Sequence, residues 1–398
     1  MENLPTRAQV IETLFDKWKL QSATEIIEID EALDRVLAND AYSQVTIPVV
    51  RASAMDGIAV DSKMFKDGIP DTTKWRVGKE FCRADTGDDF DDKFDAVIAI
   101  EQVTITQEGG LVINPEVIVA EGMSIRPRGT TIAKGDLLVK KHVRLRSFDL
   151  ACLAAGGVLK VEVIKRPRVA FIPTGSELIP LGEQVKRGNS IDSNSILTKH
   201  MLCEMGAEAI CFPIVKDNRE NIATALDKAL ETADVVVLNG GSSKGEEDYN
   251  ARILEERGAA LFHWVAAAPG KPMCVAVIDN KPVINIPGPP VAVLYGFDWC
   301  IRAIISRSLY QPMLRRVTIK GVLTEEMQAP ANMEIMCLMD IKWVDDHYEV
   351  KQKKWRGNNV ADSLSAGAYY ITKFGLEGHA VGEILEVELW RNEEELKK

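Results

Sequence analysis

The sequence predicts a multidomain protein that combines a central α/β domain with β-rich domains. Between residues 168 and 306, apolar strands alternate with helical segments of about 10–15 residues, a pattern typical of βαβ units around a parallel sheet. In residues 75–138 and 313–398 the apolar runs are short, are separated by Gly and polar turns, and show no helical period. We therefore expect a central α/β domain with a parallel sheet, an inserted β-rich domain before it, and a C-terminal β-barrel or sandwich.

Length, charge and cysteine usage limit the function. The 398 residues suffice for two to four domains of about 100–200 residues each. The net charge of -11 argues against nucleic-acid binding, and no apolar run approaches the roughly 18 residues of a membrane span. The first residues lack the apolar region of a signal peptide. Seven cysteines without a CxxC pair predict reduced thiols, so we expect a cytoplasmic protein without a zinc site.

Residues 5–39 carry the spacing of two helices. Thr6 is a candidate N-cap for the first, which places Leu14 on its apolar face. Asp30 is a candidate start for the second, which places Val36 on its apolar face. A helical N-terminal region is therefore predicted, followed by a short strand at 44–49.

The dipeptide Asp56-Gly57 lies between two apolar runs. This spacing favours a hairpin turn. The alternative is a packed turn that presents the Asp56 carboxylate to a partner surface, since the small residues Ser53 and Ala54 precede it. The segment that follows has predicted strands at 96–100, 110–113, 116–119 and 137–139, and a helix at 147–155.

Three predicted strands of the α/β segment end in Gly or Pro. Strand 169–172 runs into Pro173-Thr174-Gly175, strand 235–238 into Gly240-Gly241, and strand 283–286 into Pro287-Gly288. Glycine lets a backbone approach a ligand closely, and the carboxyl ends of parallel strands share one edge of the sheet. The sequence therefore predicts a ligand crevice at this edge. The other predicted elements are a strand at 207–213 and helices at 196–205, 220–232 and 292–306.

Eight segments, in order, resemble the molybdopterin molybdotransferase family, which comprises bacterial MoeA and the E-domain of gephyrin and its plant counterparts. Residues 53–60 resemble its SAMDGYAV signature, residues 240–249 its GGVSVGDYDY stretch, and residues 269–272 its PGKP turn. The resemblance covers nearly the whole chain. The remaining matches are Thr86-Gly87 with residues 95–101 (TG…ADAVV…E), residues 173–178 (STGDEL), residues 192–194 (DSN) and residues 286–290 (LPGNP).

The resemblance implies a four-part architecture and a reaction. The expected parts are an elongated linking region at 1–50 and 140–168, an inserted β-rich domain at 51–139, an α/β molybdopterin-binding-like domain at 169–312 and a C-terminal β-barrel at 313–398. The family is a homodimer whose cleft lies between the α/β domain of one subunit and the Asp56-type loop of the other. It takes adenylylated molybdopterin and molybdate, releases the nucleotide with Mg²⁺, and leaves molybdenum on the dithiolene.

The resemblance also assigns roles to residues in the matching motifs. Amides that follow a strand can bind phosphate, carboxylates suit Mg²⁺, and a lysine on a stiff loop suits an oxyanion. The implied metal ligands are Glu177 and Asp248. The implied catalytic residues are Asp56, Glu177, Asp217, Asp248 and Lys271, and the implied molybdopterin-binding residues are Thr86, Thr174, Gly175, Gly240, Gly241, Ser243, Gly270 and Pro272.

Several positions depart from the family pattern, and they cluster around the expected molybdate site. Trp264 and Ala268 stand where the family has lysines, and Ser176 stands where it has an aspartate. Each charge-assisted bond contributes roughly 1.5–3 kcal/mol, so losing two cations from a buried anion site costs several kcal/mol. The other departures are Gly129-Thr130-Thr131, Glu246-Glu247, Pro289, Ala292, and Cys337 and Asn358 in place of an oxyanion-binding Arg and Ser, with Arg356 the nearest cation.

Three functions are therefore compatible with the sequence. The leading interpretation is a molybdotransferase enzyme. The second is a divergent paralogue that binds molybdopterin or a partner protein without efficient metal insertion. The third is a scaffold that dimerises and clusters other proteins. The retained cleft glycines favour the second over the third.

Overall fold

The structure is a computed structural model that describes residues 4–241, 249–353, 366–392 and 394. The chain divides into two compact units, Thr24–Val163 and a larger unit formed by Met1–Ala23 with Ile164–Lys398. Within the described ranges, no helix is both long and apolar enough to cross a bilayer.

The first helix, α1 (Arg7–Lys17), begins at the predicted cap. Thr6 Oγ1 accepts from the Gln9 amide at 3.2 Å, and Gln9 Oε1 accepts from the Thr6 amide at 2.9 Å. This reciprocal capping box satisfies two of the donors that a helix N-terminus otherwise leaves open. Leu14 is fully buried, as the spacing predicts, because α1 packs on the sheet of the larger unit.

The smaller unit consists mainly of short strands with three apolar clusters, which contain Phe81, Leu145 and Phe94 respectively. Strand β1 pairs with β11, β2 with β10, β3 with β9 and β7 with β8, while β4 lies between β5 and β6. The elements are β1 (Thr24–Glu28), β2 (Ala41–Tyr42), β3 (Ala52–Ser53), β4 (Gly57–Val60), β5 (Phe81–Ala84), β6 (Ala96–Ala99), β7 (Val103–Ile105), β8 (Leu111–Ile113), β9 (Ile125–Arg126), β10 (Leu137–Val139), α2 (Ser147–Ala155) and β11 (Lys160–Ile164).

The predicted second helix at Asp30 is wrong. Ile29–Glu31 form a single 3-10 turn, and Asp34 adopts a left-handed φ of 61°. Beyond it, the Asp34 amide donates to Leu145 O at 2.9 Å and the Leu37 amide to Val143 O at 3.0 Å. Long-range backbone pairing therefore overrides the local apolar spacing.

The predicted hairpin at Asp56-Gly57 is also wrong, because β3 and β4 pair with different strands. A Cβ on Gly57 would lie 2.1 Å from the carbonyl oxygen of Ile98 in β6. Glycine is thus required by the close approach of two strands rather than by a turn. The predicted strand at 116–119 does not form, and the predicted strand at 44–49 is reduced to one bridge between Ile47 and Ile132.

The α/β part of the larger unit is a six-stranded sheet in the order β15-β12-β16-β20-β19-β17. Every strand is parallel except β19, which is antiparallel to both neighbours. The elements are β12 (Arg168–Pro173), β13 (Leu178–Ile179), β14 (Ser190–Ile191), α3 (Asn194–Met205), β15 (Glu208–Cys211), α4 (Arg219–Thr232), β16 (Val235–Asn239), α5 (Tyr249–Glu256), β17 (Ala260–His263), β18 (Ala267–Ala268), β19 (Cys274–Ile278), β20 (Lys281–Ile286), α6 (Pro290–Gly296) and α7 (Arg302–Ser308).

Helices cover both faces of this sheet. Ala170 and Val236 belong to an apolar cluster with residues of α4 and α5 on one face. On the other face Phe171 meets Phe297 edge-on at 6.2 Å, and α3 packs against α6. Strands buried on both faces account for the continuous apolar runs in the sequence.

The C-terminal part is a closed five-stranded barrel, which decides between the barrel and the sandwich. Strand β23 pairs with β24, the order continues through β21, β27 and β25, and β25 pairs back with β23. The first residues of β23 also pair in parallel with β18, and this pairing joins the barrel to the α/β part. The elements are β21 (Thr318–Leu323), β22 (Met327–Gln328), β23 (Glu334–Val344), β24 (His347–Gln352), β25 (Ala368–Ile371), β26 (Gly378–His379) and β27 (Ile384–Leu389).

A buried ionic network lies between the last helices and the barrel. A five-residue π-helix, Phe297–Ile301, separates α6 from α7 and carries the buried Asp298. Asp298 Oδ1 accepts from Arg316 Nη2 at 2.6 Å and from Arg302 Nε at 3.3 Å. Burial alone would lower the pKa of Arg316, but the bond to Asp298 raises it overall. The Asp298 carboxylate thus offsets the two arginine charges only in part, and Glu388 Oε2 lies 3.9 Å from Arg316 Nη1.

Replacing Asp298 with Ala should destabilise the larger unit by about 3–5 kcal/mol, because two arginines then stay buried without their shared carboxylate. Chemical denaturation measures the change. Lys351→Met, which breaks the half-exposed Lys351–Glu325 pair in the same barrel, should cost below about 1 kcal/mol. Equal effects of the two substitutions would contradict the assignment.

Candidate ligand-binding site

The strand order defines a switch point at the carboxyl edge of the sheet. The chain leaves β12 for β15 on one side and then crosses to β16 on the other. Ligands of open α/β sheets bind where the order reverses in this way. The residues that follow β12 and β16 are Thr174-Gly175 and Gly240-Gly241, which the sequence predicts as binding residues.

A network of buried side chains ties these two loops together. Thr174 Oγ1 donates to Asn239 O at 3.0 Å. Asn250 Nδ2, from the start of α5, donates to Thr174 Oγ1 at 2.9 Å and to Gly240 O at 3.0 Å. Thr174, Asn239 and Asn250 are all almost completely buried. The Thr174 hydroxyl is thus fully engaged in holding the loops.

The same network reaches the loop after β20. Asn239 Nδ2 donates to Ile286 O at 3.0 Å and to Pro287 O at 3.1 Å. Asn194 Nδ2 donates to Asn239 Oδ1 at 2.9 Å and to Gly288 O at 2.8 Å. Three strand ends are therefore held in one geometry.

Sequence reasoning missed Asn239, Asn250 and Asn285 as determinants of the site; Asn285 Oδ1 accepts from Asn250 Nδ2 at 3.2 Å. The available signal was a buried amide within an apolar strand, since Asn239 ends β16 and Asn285 lies inside β20. Buried polar groups need partners, and such a residue usually marks a structural or functional constraint. Among the described residues, the side-chain oxygens of Asn194 and Asn250 accept no hydrogen bond.

The glycines after β16 allow neighbouring residues to approach the backbone closely. Gly240 has a φ of 125°, and a Cβ there would lie 2.5 Å from both Thr174 O and Thr174 Oγ1. The Gly240 amide already donates to Ile286 O at 3.0 Å. Gly241 has a φ of 43° beside Asn250. These conformations favour glycine, and the missing side chains let Thr174 and Asn250 pack closely against the backbone.

The loops after β12 and β15 bring Glu177 and Asp217 to neighbouring positions. The Ser176 amide donates to Asp217 Oδ2 at 2.9 Å, and the Asp217 amide donates to Ser176 Oγ at 3.2 Å. Ser176, which stands where the family has an aspartate, thus forms two hydrogen bonds with Asp217. Glu177 is exposed and folds over Gly175, where a Cβ would lie 2.8 Å from its carboxylate oxygens. Two carboxylates therefore stand beside the switch point.

Lys271 lies at the same edge of the sheet. Because β19 is antiparallel, its first residue, Cys274, pairs with Asn285 near the end of β20. The turn before it contains a cis Ala268-Pro269 bond, Gly270 with a φ of 109°, and Pro272. Lys271 Nζ lies 5.7 Å from the centroid of the Trp264 ring.

In the smaller unit the structure brings together two predicted residues, Asp56 and Thr86. Asp56 Oδ1 accepts from the Thr86 amide at 2.7 Å and from its hydroxyl at 2.8 Å. These two bonds, with a smaller effect of Arg83, hold the pKa of the Asp56 carboxyl below its usual range. Asp56 is therefore an exposed, ionised carboxylate at neutral pH.

Some predicted residues lie outside the described ranges. These are Ser243 and Asp248, together with Glu246, Glu247, Arg356 and Asn358. Among the residues that are described, no three His, Cys, Asp or Glu side chains form a metal-binding group.

An open α/β sheet with polar loops at its switch point is the architecture of a ligand-binding domain. Residues 170–307 match the model of a probable molybdopterin binding domain, and residues 6–157 match that of the MoeA N-terminal region, domains I and II. The chain belongs to the MoeA family, as the resemblance of its motifs implied.

Relatives in several organisms support this membership. The molybdopterin molybdenumtransferase of a Nostoc species is 30% identical over 77% of this chain and 74% of its own. That of Haemophilus influenzae is 29% identical over 76% of this chain and 77% of its own. The solved molybdopterin biosynthesis MoeA protein of Pyrococcus horikoshii, at 27% identity, covers 98% of this chain and 100% of its own with a TM-score of 0.82.

Gly240→Ala should destabilise the larger unit by at least about 2 kcal/mol, since it combines backbone strain with a clash against Thr174. Thermal unfolding measures the change. Gly288→Ala is the matched control in the neighbouring loop, because a Cβ there meets nothing within 4 Å and its φ is not left-handed. It should leave the unfolding temperature nearly unchanged; the opposite ranking would refute the close approach of the two loops.

Proposed function

We propose that this protein is a molybdopterin molybdotransferase of molybdenum cofactor biosynthesis. It takes adenylylated molybdopterin and molybdate, releases the nucleotide with the help of Mg²⁺, and leaves molybdenum on the dithiolene. The observation that carries this proposal is the occurrence of a glycine loop, two carboxylates and Lys271 along one edge of the sheet in a MoeA-family chain.

The glycine loops would accept the pterin-phosphate part of the substrate. The turn at Gly240 and Gly241, packed against Thr174 and Asn250, would present the end of β16 to the phosphate. Thr174 would act indirectly, since its hydroxyl is bound within the asparagine network. The loops that bind the ligand would thus be preorganised in the free protein.

Glu177 and Asp217 are the described residues that suit Mg²⁺. Mg²⁺ prefers oxygen ligands and usually combines one or two carboxylates with substrate phosphates, so a dedicated cage is not required. Bound there, it would neutralise phosphate charge and favour departure of the nucleotide. Glu177 would hold the cation or orient water, and Asp217 would hold the Ser176 turn beside it. The predicted ligand Asp248 would join them from outside the described residues.

The anion site differs from the family pattern in charge. Lys216 lies one residue before Asp217, and Lys271 lies in the turn before β19. Trp264 and Ala268 occupy positions of family lysines. This shortage of cations favours the second candidate, a divergent paralogue that binds molybdopterin without efficient insertion of molybdenum.

The decisive experiment incubates the purified protein with adenylylated molybdopterin, Mg²⁺ and molybdate. A molybdotransferase releases AMP and forms active cofactor. AMP release without active cofactor would support the divergent paralogue. If the protein binds adenylylated molybdopterin but forms neither product, the proposal that it is an enzyme is wrong.

Lys271→Met should lower the rate of AMP release about 10- to 100-fold, which corresponds to the roughly 1.5–3 kcal/mol of a charge-assisted bond. Steady-state AMP production measures the change. Lys228→Met is the control, because Lys228 is an exposed lysine of α4. An unchanged rate in Lys271→Met would reject the role of this lysine.

We further propose a homodimer in which the partner subunit's Asp56 completes the cleft. An apolar strip precedes Asp56 in the smaller unit: its exposed fractions are 39% at Ile47, 70% at Val49 and 46% at Val50. An exposed apolar strip of this kind is typical of an interface.

Mixing Asp56→Asn with Lys271→Met protein should restore activity if the site is shared between subunits. Random exchange makes half of the dimers mixed, and each mixed dimer has one intact site, so about a quarter of wild-type AMP release should return. Each variant alone is the control. A monomer in sedimentation equilibrium, or no recovery despite demonstrated exchange, would contradict the shared site.

A further inference from the structure

We propose that Trp264 is a positioning residue that holds the Lys271 ammonium at the edge of the candidate site. A cation–π contact with the indole would orient the ammonium, because no charged group in the described part of the loop pairs with it. This inference deepens the proposed function and rests on it, because it assigns a task to a residue beside the lysine that would bind the anion.

The contact itself is the first observation. Lys271 Nζ lies 5.7 Å from the centroid of the Trp264 ring, within the roughly 6 Å at which a cation is attracted by an aromatic face. Within the described part of the chain, the ammonium makes no hydrogen bond and no ion pair. The lysine is half-buried, and its ammonium is stabilised by the face of the indole ring.

The backbone provides a second, independent observation. The Trp264 amide donates to Met273 O at 3.0 Å, and the Val265 amide donates to Lys271 O at 2.9 Å. The two residues are thus fixed on adjacent segments before their side chains meet. The backbone pairing therefore places the two side chains at neighbouring positions on adjacent segments.

The conformation of Trp264 is the third observation. Its φ of 77° is left-handed, where a bulky side chain is an outlier. Such a conformation persists when the surroundings over-determine it, and it is found preferentially at ligand clamps. In this chain it turns the end of β17 into the segment that pairs with the Lys271 turn.

These observations change the meaning of one departure from the family pattern. Trp264 removes a charge from the site, but it also constrains the charge that remains. An immobilised lysine loses less side-chain freedom when an anion binds, so part of the ordering has already occurred in the free protein. The arrangement suits a site that works with few cations.

The test combines a structural and a functional readout. Reductive ¹³C-methylation labels the lysines, and the Lys271 resonance is assigned by its loss in Lys271→Arg. In the wild-type protein, ring current from the indole should move the Lys271 resonance upfield of the other lysine resonances. Trp264→Phe should keep part of this upfield shift, and Trp264→Leu should abolish it. An unchanged resonance in Trp264→Leu would overturn the inference. Trp343→Leu, in β23 of the barrel, is the control that should leave it unmoved.

The functional readout is calorimetric binding of AMP and of molybdate. Trp264→Leu should weaken binding of at least one probe about two- to five-fold, which is the 0.5–1 kcal/mol of an exposed cation–π contact converted at 1.4 kcal/mol per tenfold. The same substitution in a Lys271→Met background should have no further effect. Equal weakening in both backgrounds, or none in the first, would refute a role through Lys271.

The two readouts separate this inference from the proposed function. If neither probe binds the wild-type protein, the proposed function is contradicted, and the lysine resonance still decides whether Trp264 holds Lys271. If both probes bind and the resonance does not respond to Trp264, the proposed function stands and the positioning role fails.

Discussion

The structure of the candidate site depends on a buried hydrogen-bond network among Thr174, Asn239, Asn250 and Asn194. These side chains belong to one strand end, one strand and two helix starts, and together they fix three loops. Amides buried without partners would be costly, whereas a nearly satisfied network makes one loop geometry much better than its alternatives. The network therefore places the loops after β12, β16 and β20 at this edge.

The sequence predicts the elements whose signals are local. The cap at Thr6, the strands of the central sheet and the glycines at its edge follow from residue types over a few positions. The asparagine network could not be predicted in this way, because Asn250 and Thr174 are 76 residues apart and meet only once the strand order is known. The same limit explains the false helix at Asp30, where pairing with residues 143–145 outweighs apolar spacing.

Two departures from the family pattern acquire a physical meaning in three dimensions. Ser176 is an apparent loss of charge, yet its amide and hydroxyl bracket Asp217. Trp264 is an apparent loss of a lysine, yet it lies against Lys271. A comparison of residue types detects what is absent at a position, whereas contacts reveal what the new side chain does there. The site is therefore altered in its charge while its loops remain supported.

The parallel pairing of β18 with the start of β23 has a mechanical consequence. Ala267 and Ala268 bond to Glu334 and Ile335 of the barrel, and Pro269 follows them directly in the turn that carries Lys271. The Glu334 amide also donates to Ala266 O at 3.1 Å, and Glu334 receives two bonds from Arg7 of α1. The residues that precede the Lys271 turn are thus hydrogen-bonded to strand β23 of the barrel. One side of this turn therefore rests on the barrel, and a change in the backbone at Glu334 or Ile335 would shift the position of Lys271.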